Sequence, residues 1–293
     1  MSHRQLPAAQ VSVLQSWIGP YEVLEDKSWP LQDTTVQRVR PLRTGSGSEV
    51  FVKYSATSHH IERELTAYSS GVNALGDHAP VLLHSSRVHQ MFAVSSLPGA
   101  LVQGRAEELA PDTHERAGTL LARLHQHRGW STAYLPGLVR KTTRFMEQGH
   151  ALFSGGDADS IHQALGTLYR GPVEVVLTHG DYQPRNWLIE DGIVCVIDFG
   201  RADVRPWVSD LVRLKNQQWI GRPDLQEAFM AGYGQALTET DAKVFAAESI
   251  LQAVGTVVWA HDVGDGDFEE VGRMMLINAL NRTWLLPCLG FNA

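Results

Sequence analysis

The sequence predicts an α+β protein of two lobes. Residues 1–95 form a small N-terminal antiparallel sheet plus helix, and residues 96–293 form a larger, mainly helical lobe. Three observations carry that reading. Strand-like runs cluster before residue 95, a Pro-Gly break follows at Leu97-Pro-Gly99, and helical periodicity dominates afterwards around a single hairpin signal at Asp191-Gly192.

The elements follow in chain order. Thr35-Val-Gln-Arg-Val-Arg40 alternates weakly, and Glu49-Val-Phe-Val-Lys-Tyr54 is a clear strand. Thr44-Gly-Ser-Gly-Ser48 between them reads as a turn. Residues 58–68 read as a helix, with Ile61, Leu65 and Tyr68 at i, i+4 and i+7. Met91-Phe-Ala-Val94 is a buried strand, and the hinge lies near residues 95–99. Asp112-Thr-His-Glu115 has capping-box spacing, with Asp in place of Ser or Thr, ahead of the stripe Ala117, Leu120, Leu121, Leu124. Past the hairpin, helices are expected near 206–220, 223–237, 241–260 and 268–286, with Pro206 and Pro223 in first turns.

Composition excludes some classes. The formal net charge of -7 argues against nucleic acid as the main partner. No run of about 18 uncharged apolar residues is present, so no membrane partner and no spanning helix are expected. The N-terminus lacks the apolar run of a signal peptide, and Cys195 and Cys288 are the only cysteines. A reducing, cytoplasmic location fits, with no disulfide framework. The charge is uneven: residues 1–95 carry 8 acidic and 8 basic side chains, whereas residues 151–293 carry 19 and 10. An acidic second half attracts cations; solubility is the plain alternative.

The chemistry concentrates between Thr178 and Gly200. Three apolar β runs, 174–178, 187–189 and 193–197, frame the Asp191-Gly192 turn. Folding about that turn brings Asn186 within about one residue of facing Asp198, at a cross-strand Cβ separation of roughly 5 Å. One Mg²⁺ can bridge that gap with bonds of about 2.1 Å. Asp181, one short loop before Asn186, reaches the same space. Taken singly, each has a plainer role: Asp198 ends a strand, Asn186 caps a turn, His179 is a hydrogen-bonded structural histidine. A zinc hydrolase built on His179 and Asp181 lacks further ligands at workable spacing, since His59 and His60 sit on the first-lobe helix.

These residues resemble the aminoglycoside phosphotransferase family and its relatives in the protein-kinase-like superfamily. The resemblance rests on His179-Gly-Asp181-x4-Asn186 and Ile197-Asp198-Phe-Gly200, on Lys53 in a strand, on Arg63-Glu64 in the next helix, and on Ser95-Ser-Leu-Pro-Gly99. It covers roughly residues 30–285. It implies a bilobal kinase-like fold and phosphoryl transfer from ATP or GTP with Mg²⁺. Asp181 would orient the acceptor hydroxyl and take its proton. Asn186 and Asp198 would hold metal. Lys53, oriented by Glu64 (with Glu62 as rival), would pair with the α- and β-phosphates. Ser96 and Leu97 in the hinge, and Asp33 and Thr34 in the phosphate loop, would line the nucleotide. Asp210 would bond the catalytic-loop backbone. Gly180, where protein kinases usually carry Arg, points to small-molecule kinases.

Gly45-Ser-Gly47 looks like a phosphate-cradling loop but ends only six residues before Lys53. Kinase-like lobes place a loop, a strand, a turn and a second strand before the lysine. Counting back puts the phosphate loop near Leu31-Gln-Asp-Thr34, which has no glycine, and makes Gly45-Ser-Gly47 a hairpin turn.

The acceptor is expected to be a small cation such as an aminoglycoside or basic peptide antibiotic, phosphorylated to give resistance. Asp203, Asp262, Asp265, Asp267 and Glu270 are the candidate contacts, and Trp207, Trp219 and Trp259 offer either cation–π faces or core packing. A solvated acidic loop is the plain alternative for 261–270. Choline, homoserine, fructosamine and methylthioribose remain alternative acceptors. A non-catalytic scaffold is opposed by the presence of Lys53, Asp181, Asn186 and Asp198. A protein kinase is opposed by the missing Ala-Pro-Glu segment and the short 200–206 link. Oligomeric state leaves no mark on the sequence.

Overall fold

The computed structural model describes residues 4–29, 33–42, 49–57 and 59–281. Gly45-Ser-Gly47, Leu31 and Cys288 lie outside the described residues. The chain forms two compact units, one of residues 1–124 and 179–203, the other of 125–178 and 204–293. Residues 96–124 and the stretch 179–203 therefore pack with the N-terminal sheet.

The first unit is built on a five-stranded antiparallel sheet of order β1-β2-β3-β5-β4: β1 (Tyr21–Asp26), β2 (Thr35–Pro41), β3 (Val50–Tyr54), β4 (Leu82–Ser86) and β5 (Met91–Ser95). Alternation decides what each face meets. Val39, Val50, Val52, Met91 and Ala93 pack with Leu6 and Leu14, the latter on helix α1 (Ala8–Ile18). Phe92 and Val94 turn to the other face and pack with Ile61 and Leu65 of α2 (His60–Ser70). Beyond the hinge, β6 (Ala100–Leu101) leads to α3 (Pro111–Leu124). This helix begins with Pro111 in its first turn, and Thr113 N–H and His114 N–H return to Ala110 O. The cap therefore falls at Ala110, two residues before the expected Asp112, because proline tolerates the first helical position.

In the second unit, β7 (His127–Ser131) pairs antiparallel with β8 (Val173–Thr178). Around them lie α4 (Tyr134–Gln148), α5 (Gly155–Gly166), the short α6 (Val212–Asn216), α7 (Pro223–Tyr233), α8 (Glu239–Val263) and α9 (Gly266–Asn281). The capping boxes sit at Ser154–Asp157 and Thr238–Asp241, at the starts of α5 and α8. α8 is long and apolar enough by length and composition to cross a bilayer, although it holds no run of 18 uncharged residues. Its apolar character serves packing: 67% of that apolar window lies inside the protein, as in a core helix. Trp207 stacks on Tyr233, and Trp219 and Trp259 meet Phe229 and Phe268 edge-on, so all three tryptophans join aromatic packing.

Candidate functional site

Strand register places the lysine. Lys53 on β3 lies opposite Phe92 on β5, and directly opposed residues share a face. Lys53 therefore projects toward α2, where Glu64 shares the buried stripe of Ile61 and Leu65. Lys53 Nζ donates to Glu64 Oε1 at 2.9 Å and Oε2 at 2.8 Å. Glu62 points elsewhere and pairs with Arg87.

The hairpin places the carboxylates. β9 (Trp187–Glu190) and β10 (Ile193–Val196) pair with Trp187 opposite Val196, and Ile197 N–H donates to Asn186 O at 3.0 Å. Asn186 thus falls one residue from facing Asp198. Asp191 and Gly192 turn the chain with φ of 48° and 78°. Asp198 itself has φ 67°, a left-handed backbone that functional positions often hold under strain. Its Oδ1 accepts from Lys53 Nζ at 2.8 Å, and Phe199 N–H donates to Glu64 Oε1 at 3.3 Å. One lysine therefore ties sheet, helix and hairpin together.

Asp181 is buried and densely held. Gln183 Nε2 donates to its Oδ1 at 2.5 Å, and Arg185 Nη2 donates to its Oδ2 at 2.6 Å. Asn186 Nδ2 donates to Asp181 O at 2.8 Å and Oδ2 at 3.1 Å. Those bonds orient the Asn186 amide so that its oxygen is the end left to bind a cation. His179 is buried, accepts Asp181 N–H at Nδ1 (3.3 Å), and its Nε2 lies 3.0 Å from Ile197 O. It braces the loop between Tyr182 and Phe199.

Electrostatics follow from burial against pairing. Partial desolvation by the surrounding protein opposes ionisation of Asp198, yet the Lys53 ammonium prevails and holds its carboxyl down at about 2. Burial pushes Glu64 up to about 7 against the pull of Lys53. Lys53 would fall with burial, but Asp198 and Glu64 hold it above its ordinary value. Asp198 is an ionised carboxylate with 52% of its side chain exposed and a cation already beside it. With the Asn186 amide oxygen it would supply hard oxygen donors, the donor type that suits Mg²⁺.

The other expected contacts are placed as follows. Asp33 accepts from Ser55 Oγ at 2.8 Å and from Thr57, clasping the end of β3. Thr34 follows it, one residue before β2, with its hydroxyl buried and unpartnered. Ser96 N–H donates to Glu49 O at 3.1 Å, and Leu97 is half-buried beside it. Asp203 pairs with Arg63 at 3.8 Å in the first unit. In the second unit Asp265 Oδ1 accepts Phe268 N–H at 3.1 Å and caps α9, while Asp262, Asp267 and Glu270 are exposed. Asp210 pairs with His125 at 3.0 Å.

Two site residues escape the sequence reading, Arg185 and Trp29. Arg185 occupies a variable position inside His-x-Asp-x4-Asn, directly before Asn186. Its guanidinium lies over the Trp29 ring, 5.9 Å from the centroid. The available signal was an arginine four residues after the candidate base.

A strand lysine tied to a helix glutamate, beside a hairpin carrying two aspartates and an asparagine, defines the kinase-like phosphotransferase class. The family model described as the phosphotransferase enzyme family matches residues 42–245, and the chain belongs to that family. An Escherichia coli aminoglycoside 3'-phosphotransferase is 37% identical over 83 residues, 28% of this chain and 31% of that relative. The chain thus matches about a third of that relative's length. The solved GDP complex of aminoglycoside 2'-phosphotransferase-IIIa superposes with a TM-score of 0.69 at 14% identity, covering 96% of this chain and 100% of that one. A macrolide 2'-phosphotransferase type I superposes at 0.64 with 16% identity, covering 94% and 99%. At such identities the likeness speaks for the fold.

Proposed function

We propose that this protein is an ATP- or GTP-dependent, Mg²⁺-requiring O-phosphotransferase acting on a hydroxyl of a cationic small molecule, an aminoglycoside or basic peptide antibiotic. The observation that carries the reading is the Lys53–Glu64–Asp198 cluster in the same unit as Asp181 and Asn186. Residues 1–95 hold the nucleotide, and residues 96–293 supply the catalytic loop and the acceptor surface. Mg²⁺, when bound at Asn186 and Asp198, neutralises phosphate charge.

The chain's own residues do the rest. Lys53, kept charged and aimed by Glu64, receives the α- and β-phosphates. Ser96, Leu97, Asp33 and Thr34 border the nucleotide. Asp181 orients the acceptor hydroxyl and accepts its proton. The exposed Asp262, Asp267 and Glu270, with Asp203 and Asp265, bias the acceptor toward cations. Family membership leaves the acceptor open, since aminoglycoside and macrolide enzymes share this fold.

The test is an acceptor panel of aminoglycosides, basic peptide antibiotics, macrolides, choline and ethanolamine, with Mg-ATP and Mg-GTP. Nucleoside diphosphate release and a mass gain of one phosphoryl group are the readouts. The expected outcome is turnover of a cationic antibiotic, with Asp181→Asn and Asp198→Asn lowering it by about 10³-fold or more while the fold persists. Turnover of choline or ethanolamine alone would replace the acceptor class. An inert wild-type protein would sink the enzyme reading.

A further inference from the structure

Arg185 stands out because three independent features converge on it. Its guanidinium grips Asp181 Oδ2 at 2.6 Å while Asn186 Nδ2 donates to the same oxygen at 3.1 Å, so both lone pairs of that oxygen are engaged and one opens to a hydroxyl proton only when a donor leaves. The same guanidinium lies over the face of Trp29, in the connection between β1 and β2. That connection, Lys27 to Thr34, contains no glycine, so it lacks the residues that let a phosphate loop wrap its backbone N–H groups round the phosphates. A phosphoryl group reacting here needs other donors. A planar fork of N–H groups matches two phosphate oxygens at once. The Arg185 side chain is 28% exposed, so it is not sealed inside the protein.

We infer that Arg185 is a phosphate-contacting catalytic residue: carried on the Trp29 ring, its guanidinium leaves Asp181 for a nonbridging oxygen of the phosphoryl group in transfer. This rests on the phosphotransferase reading above. The exchange does two things in one motion. It frees Asp181 Oδ2 to receive the acceptor's proton, and it sets a positive charge against the charge on the phosphoryl oxygens. The acceptor oxygen forms its bond to the γ-phosphorus, the bond from that phosphorus to the β,γ-bridging oxygen breaks, and its electron pair leaves on the nucleoside diphosphate. The hydroxyl proton goes to Asp181. Trp29 acts as a platform, a positioning residue that keeps the guanidinium planar to the site.

The test compares wild type with Arg185→Ala, Arg185→Lys and Trp29→Ala. The probes are Mg-ATP and Mg-GTP turnover, and equilibrium binding of Mg-ADP and Mg-GDP with and without aluminium fluoride, a mimic of the phosphoryl group in transfer. For Arg185→Ala we expect kcat to fall by about 100-fold or more with diphosphate affinity held within about threefold. The extra affinity conferred by aluminium fluoride should vanish, and guanidinium ion in the buffer should restore part of the rate. Arg185→Lys should be intermediate, because an ammonium lacks the fork. Trp29→Ala should lower kcat less than Arg185→Ala.

The inference falls if Arg185→Ala keeps wild-type kcat and wild-type fluoride-dependent affinity; the phosphotransferase reading then survives, provided Asp181→Asn abolishes turnover. It falls too if binding with and without fluoride drops equally, since that marks a ground-state contact. Should Arg185→Ala unfold, Arg185→Lys decides by the same two criteria. A wild-type protein that neither turns over nor binds either nucleotide overturns both readings.

Discussion

Lys53 Nζ lies 2.8 Å from Asp198 Oδ1. The same ammonium holds Glu64, whose side chain is only 3% exposed. A buried carboxylate without its counter-charge is costly, whereas an apolar pair in the same volume is not. Lys53→Met should therefore destabilise the protein by about 3 kcal/mol. The double variant Lys53→Met/Glu64→Leu should recover most of that loss. Both should bind Mg-nucleotide weakly. Urea denaturation and calorimetric titration read the two effects apart. A single variant as stable as wild type would show that Glu64 has no need of the lysine.

The same cluster sets a pH dependence with opposing arms. Asp198 is held at about 2 when folded, against 3.8 for a free side chain. Its contribution to stability is complete above about 3.8 and is lost as pH falls through 2. Glu64 runs the other way. Its folded value near 7 exceeds the ordinary 4.5, so the folded state binds more protons in that interval. Its contribution is complete below 4.5 and is lost as pH rises through 7. The cluster's contribution is thus greatest near pH 4. Relative to Glu64→Gln, wild type should lose up to about 3 kcal/mol between pH 4.5 and 7. Denaturant melts of both proteins at intervals across that range test this. Parallel profiles would count against the raised Glu64 value.

Much of this was legible in the sequence because it is local. The Asp191-Gly192 turn fixed the hairpin register, and that register alone brought Asn186 to the end where Asp198 sits. The Ile61–Leu65 stripe fixed the helix, and Glu64 beside it fixed the lysine's partner. What escaped depends on contacts between distant segments. Trp29 and Arg185 meet across a long stretch of sequence, and neither residue carries a periodic signal. Helix α1 places Val11, Leu14 and Ile18 at helical spacing, but a buried Leu14 flanked by half-exposed neighbours leaves a faint stripe. At α3, proline chemistry overrode a cap that composition alone favoured. At α8, long apolar periodicity reflects a helix surrounded by α4, α5, α6 and α9.

In the second unit, Glu248 is buried on α8 and accepts a hydrogen bond from the Tyr134 hydroxyl. Burial raises the Glu248 carboxyl, and the tyrosine bond draws it back. Tyr134→Phe deletes the donor while keeping the ring. The orphaned carboxyl should cost about 1–3 kcal/mol, with a larger loss at higher pH as Glu248 is forced to ionise. Thermal melts at pH 5 and pH 8, set beside those of Tyr134→Phe/Glu248→Leu, check this. Equal losses at the two pH values would remove Glu248 from the explanation.

Gly99 closes the hinge stretch at φ 98°, a backbone region that L side chains avoid. A Cβ built there would lie 2.8 Å from Ile189 O and 2.9 Å from Ile189 C. Those are backbone atoms of β9, held by the β6–β9 pairing of Ala100 with Ile189, and they have little room to give. Gly99→Ala should therefore cost about 2–3 kcal/mol from φ strain and the clash together. Because β9 follows directly from Asn186, the displaced strand should also disturb the Asn186–Asp181 bonds, so turnover should fall further than the lost stability explains. Substitution at Gly104 provides the contrast: its φ is 79° and nothing lies within 4 Å of an added Cβ. Gly104→Ala should show φ strain alone, about 1 kcal/mol, with kcat unchanged. Paired denaturation and turnover measurements on the two variants separate strain from clash. A Gly99→Ala protein matching Gly104→Ala in both would show that β9 yields to the methyl group.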